Sequence, residues 1–139
     1  MGAWSHEPFG NDTACDWAAE LEESTGFVVI EQALDQVIAD KNEDFIDADD
    51  GSIAHAAAEV LAQITGQGTQ DLDFLDGVSQ WIDQLDARPS TALIQKAIIV
   101  IDILTQENSE LDELWQDSDD YEEWTQNLNE LKEILKNAS

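Results

Sequence analysis

Positive charge is scarce in this sequence: five Lys and Arg stand against thirty-two Asp and Glu, a formal net charge of −27 over 139 residues. Such a chain repels phosphate backbones and anionic lipid, which argues against direct nucleic-acid binding and against membrane attachment. Cys15 is the only cysteine, so neither an intramolecular disulfide nor a thiolate metal cluster can form, and a reducing, cytoplasmic setting is expected. Met1 to Gly10 has neither a basic nor an apolar run, which predicts no secretory signal, and His6 stands where N-myristoylation needs Ser or Thr. The most apolar stretch, Ala92 to Leu104, is broken by Gln95, Lys96 and Asp102 and falls short of the ~20 residues that cross a bilayer. Alternating strand patterns, internal repeats and low-complexity tracts are also missing.

What is present is apolar material in helical spacing. Apolar residues make up 42% of the chain, enough for a core, and the length favours one domain spanning 1–139. Asn11 and Asp12 can cap a first helix with Ala14, Trp17, Ala18 and Leu21 on one face. Phe27, Ile30, Ala33, Leu34, Val37 and Ile38 define a second, and Lys41 to Asp50 reads as a connection anchored by Phe45 and Ile46. A third, alanine-rich helix runs from Ser52 to Thr65 with Gly66 as its stop. A fourth is expected from Asp71 through Leu85, ending before Pro89. Ser90 caps a fifth that is apolar almost all round, which predicts the central position in the bundle. Ser109 starts a short helix, and Tyr121, Trp124, Leu128, Leu131 and Leu135 define the last. The expected fold is all-α, a compact single-domain bundle of six or seven helices, with residues 1–10 packing on it.

Met1-Gly2-Ala3-Trp4 with Phe9, Asn11-Asp12, Ala14 and Asp16-Trp17 forms a first motif, and Ala56-Ala57-Ala58-Glu59-Val60 before Gly66 a second. Asn108-Ser109-Glu110-Leu111 with Leu114-Trp115 and Trp124 forms a third. In this order, over nearly the whole chain, they resemble the bacterial domain-of-unknown-function family 4259, although His6-Glu7-Pro8 departs from the glycine-containing stretch expected there. The resemblance implies a small bacterial cytosolic helical protein and supplies no catalytic residues.

Physical reading of the same motifs favours scaffolding: Trp4 and Phe9 covering the bundle, Trp17, Trp115 and Trp124 as core anchors, and Ser109 with Asp112 as a partial capping box. Asp47-Ala48-Asp49-Asp50-Gly51 has the outline of a calcium loop, but Gly51 and Ser52 fall one place out of register and Ala58 stands where a bidentate Glu is needed. His55 and Glu59, four apart, could form a metal site with His6 or Asp16, or a surface ion pair. Cys15 reads as a small packed side chain. No nucleophile, phosphate-loop or dinucleotide signature occurs, so no catalytic residue, cofactor or metal site is assigned.

The most suggestive cluster spans 107–123: Glu107, Glu110, Asp112, Glu113, Asp117, Asp119, Asp120, Glu122 and Glu123, without a base and interleaved with Trp115, Tyr121 and Trp124. An acidic patch edged by aromatics suits capture of a basic protein; the competing reading turns the aromatics inward and leaves a solvated loop. The expected function is therefore that of a non-enzymatic acidic interaction protein with a basic protein partner, of inhibitor, immunity or DNA-mimic type. Its rival is a metal-dependent activity built on His55 and Glu59.

Overall fold

The computed structural model describes residues 5–73 and 75–138. Seven helices occur among them: α1 (Asp12–Glu22), α2 (Val28–Asn42), α3 (Ala48–Ile64), α4 (Asp76–Asp83), α5 (Thr91–Leu104), α6 (Glu110–Gln116) and α7 (Tyr121–Ala138). The architecture is all-α.

Most helix starts follow local chemistry. Asn11, Asp47, Ser90 and Ser109 hold extended backbone, and each side chain accepts from a first-turn N–H, at 2.8 Å from Ala14 and 3.1 Å from Leu93 in two cases. α3 stops as expected at Gly66, whose φ of 108° is open to glycine, while the N–H of Gln67 reaches back to the Ala62 carbonyl. α4 is shorter than its periodicity predicts. Asp71 accepts from the Asp73 N–H and Leu75 donates to the Leu72 carbonyl, and the helix begins only at Asp76.

The central helix is α3, not α5. α3 packs against α1, α2, α4, α5, α6 and α7, and buries a continuous stretch from Ala54 to Ala62. Ala54, Ala56, Ala57, Ala58 and Ala62 keep its radius small, so neighbours close in from every side. α5 buries Leu93, Ile94, Ala97, Val100, Ile101, Ile103 and Leu104 against α2, α3 and α7, yet leaves Ile99 55% exposed. At about 1.5–3 kcal/mol per large aliphatic side chain, its buried face is a principal source of stability.

The α2–α3 connection is fastened at one residue. Ile46 donates to the Asn108 carbonyl and accepts from the Glu110 N–H, both at 2.9 Å, in an isolated parallel bridge. Successive extended residues point to opposite sides, so Ile46 is buried and Phe45 is 52% exposed; only one of the two expected anchors serves. Phe9 is fully buried, and its N–H donates to Gln70 Oε1 at 2.9 Å, tying the N-terminal turn to the loop after α3. Trp4 lies outside the described residues.

Candidate functional site

The predicted acidic–aromatic cluster divides into an inner and an outer layer. Trp115 and Trp124 are buried and stacked at 6.1 Å between centroids and 13° between planes, with Tyr121 tilted against Trp124. Asp112 is buried, accepting from Tyr121 Oη at 2.8 Å and Gln116 Nε2 at 2.6 Å. Ser109 accepts from the Asp112 N–H, but the Asp112 carboxylate is engaged with α7 instead of reaching back, so the capping box is one-sided. The Tyr121 phenol is held above its usual range by that carboxylate and by burial. Glu110 is half-buried and accepts from the Ala48 N–H at 2.9 Å, capping α3 from across the bundle. Glu113 on α6, Asp117, Asp119 and Asp120 on the turn after it, and Glu122 and Glu123 at the start of α7 remain exposed. The rings that sequence spacing interleaves with these acids all turn toward the core.

His55 and Glu59 do not form a surface ion pair, because both are buried in the central helix and each engages other residues. Glu59 Oε2 accepts from Gln63 Nε2 at 2.6 Å and the Thr69 N–H at 3.0 Å, and Oε1 accepts from Thr69 Oγ1. The hydroxyl therefore donates to the carboxylate and accepts from Asn127 Nδ2 at 2.9 Å. That orients the amide with Asn127 Oδ1 toward His55 Nε2 at 2.6 Å, so Nε2 carries a proton. Burial lowers the His55 pKa from 6.5 to about 4, outweighing the Asn127 bond. Burial likewise raises Glu59 against the pull of its donors. The network joins α3, α7 and the 65–70 loop. Among the described residues no three of His, Cys, Asp and Glu converge to hold a metal ion. Cys15 is half-buried, its thiol 3.6 Å from the Phe9 carbonyl, and burial with Asp12 and Asp16 pushes its pKa up.

An acidic, aromatic-walled recess does occur, between α1, α2 and α3, where sequence spacing gave no sign of one. An open cleft of about 360 Å³ is lined by Asp16, Glu20 and Asp49 over Trp17 and Ile53. It shares Trp17, Glu20 and Ile53 with a deeper pocket of about 150 Å³, where Gln32, Gln36 and Asp50 complete the wall. Thr13 Oγ1 donates to Asp49 Oδ1 at 3.2 Å, fastening α1 to α3 beside the cleft. Behind Asp50 lies Asp40, 9% exposed. Its Oδ1 accepts from Gln36 Nε2 at 2.9 Å, while Oδ2 is buried without a donor. A proton on Asp50 would supply that donor, and the Asp50 pKa is raised to about 7 by burial, by its bond to Asp40 and by the charges of Asp40, Asp47 and Asp49.

The rest of the surface carries the same sign. Of the thirty-two acids only Asp40, Glu59 and Asp112 are buried. Lys96 pairs with Asp35 at 2.8 Å and Lys132 with Asp102 at 2.6 Å, each joining α5 to a neighbouring helix. No helix among the described residues is long and apolar enough to cross a membrane.

The chain belongs to the family described as Domain of unknown function (DUF4259), whose model matches residues 2–127. No curated protein and no solved structure matches it.

Proposed function

We propose that this member of the family is a non-enzymatic interaction protein whose acidic surface captures a basic protein, as an inhibitor or immunity factor of a nuclease-like toxin or as a DNA mimic. The observation that carries this reading is the disposition of charge: twenty-nine of thirty-two carboxylates lie outside the core of a well-packed bundle, while Glu59 and Asp112 inside it are engaged by neighbouring donors. A field of that strength accelerates encounter with a basic surface and repels nucleic acid and anionic lipid. The reading includes a cytoplasmic location, where the single thiol stays reduced. Affinity capture from the native host at low salt, followed by reconstitution of the purified pair, tests it. A basic partner whose own activity falls on binding is expected; recovery of neutral or acidic partners only would overturn the reading.

A further inference from the structure

We propose that the pocket walled by Trp17, Glu20 and Asp50 receives a single arginine side chain of the basic partner. The inference rests on the interaction reading above and names the anchor point within it. Two observations converge there. One is complementarity: the open cleft funnels cations past Asp16 and Asp49 into a recess whose apolar wall, Trp17 and Ile53, suits an arginine stem and whose polar end offers Glu20 and Asp50. The other is the buried Asp40 Oδ2, which lacks a donor and stands behind Asp50. Such an orphan acceptor is costly unless a proton or a cation compensates it. In the free protein a proton on Asp50 supplies that compensation below about pH 7. A guanidinium in the pocket meets Glu20 and Asp50, which line it, and favours the ionised form of Asp50, because it is permanently charged and its planar fork matches carboxylates. Binding at neutral pH therefore expels the proton from Asp50. Its titration is set by burial, by Asp40 on α2 and by Asp47 and Asp49 at the start of α3, and Glu20 on α1 lines the same pocket.

The test uses the whole chain and N-acetylarginine methylamide, with the uncharged citrulline analogue as control. Saturable NMR shifts are expected at the Trp17 indole N–H, the Gln32 and Gln36 amides and the Ile53 methyls, with none from the citrulline compound. Calorimetry in buffers of different ionisation enthalpy should show proton release near pH 7 that disappears by about pH 9, where Asp50 is already ionised. Asp50→Asn should abolish the release, and Glu20→Gln, a change at an exposed position, should weaken binding by about ten-fold, as for loss of one charge-assisted contact. Asp119→Asn, on the α6–α7 turn, should change neither. Shifts spread evenly over the acidic surface, or equal affinity in Glu20→Gln and Asp50→Asn proteins that melt as cooperatively as the parent, would overturn the proposal. The two readings fail separately. A basic partner whose footprint lies elsewhere removes the pocket and leaves the function standing, whereas a filled pocket with no basic protein partner removes the function and leaves the site.

Discussion

Replacing His55 by Gln should alter how stability depends on pH more than it alters stability itself. The imidazole is 3% exposed, donates to Asn127 and has its pKa lowered from 6.5 to about 4, chiefly by burial. The native state thus binds fewer protons than the unfolded chain between those values. The contribution of His55 is complete above pH 6.5 and is lost as pH falls toward 4. At about 1.4 kcal/mol per pH unit, the full interval is worth roughly 3 kcal/mol, and the part above pH 5 about 2 kcal/mol. Measurements should stop near pH 5, because the isoelectric point is about 4.1 and the chain loses its solubilising charge there. Asp50 works in the opposite sense. Its folded pKa is raised to about 7, so its contribution is complete below the ordinary 3.8 and is lost as pH rises through 7. The parent protein alone would show two slopes partly cancelling. The difference between parent and His55→Gln removes the Asp50 contribution common to both. Urea midpoints at constant ionic strength should show the parent's advantage over the variant shrinking by about 2 kcal/mol between pH 7.5 and pH 5. Parallel profiles, or a His55 ring proton titrating near 6.5 by NMR, would refute the assignment of a neutral, sealed imidazole.

Three other outcomes follow from the same packing. Glu59→Leu strips the acceptor from the Thr69 N–H and the Gln63 amide and should cost roughly 3–5 kcal/mol, with Glu59→Gln milder; an urea midpoint within error of the parent would contradict the network. In Asp50→Asn the loss of stability between pH 6 and pH 8 should be smaller than in the parent, because the titrating carboxyl is gone; identical melting profiles would contradict its raised pKa. Cys15 should alkylate with iodoacetamide more slowly than a free cysteine at pH 8, since burial, Asp12 and Asp16 disfavour the thiolate; a rate equal to that of free cysteine would contradict this.

Much of the fold was legible because helices announce themselves through local spacing. The Leu93, Ile94, Ala97, Ile101 and Leu104 face of α5 and the Trp124, Leu128, Leu131 and Leu135 face of α7 are both buried as their periodicity requires. Asn11, Ser90 and Ser109 cap as their chemistry suggests. Hydrophobicity alone did not identify the central helix, since small side chains let α3 be surrounded while the bulkier α5 keeps Ile99 in solvent. Polar burial was not legible at all. Glu59 meets Thr69 ten positions on, and His55 meets Asn127 seventy-two positions on, distances at which no periodicity carries information. The acidic–aromatic run at 107–123 left two readings open for a related reason. Interleaving in sequence places the rings and the acids on different sides of a helix, and the rings of Trp115 and Trp124 stack inward. The recess at Trp17 draws on three helices, with Gln36 and Asp50 coming from α2 and α3, so no single stretch of sequence displays it.

The most direct test of the central claim is the dissociation constant of the reconstituted complex with the basic partner, measured by titration calorimetry at ~50 mM and ~300 mM salt. Recognition through the acidic exterior predicts that affinity falls by about ten-fold or more over that range, chiefly through slower association. Affinity that is unchanged or strengthened by salt would show that the carboxylates only keep the bundle in solution.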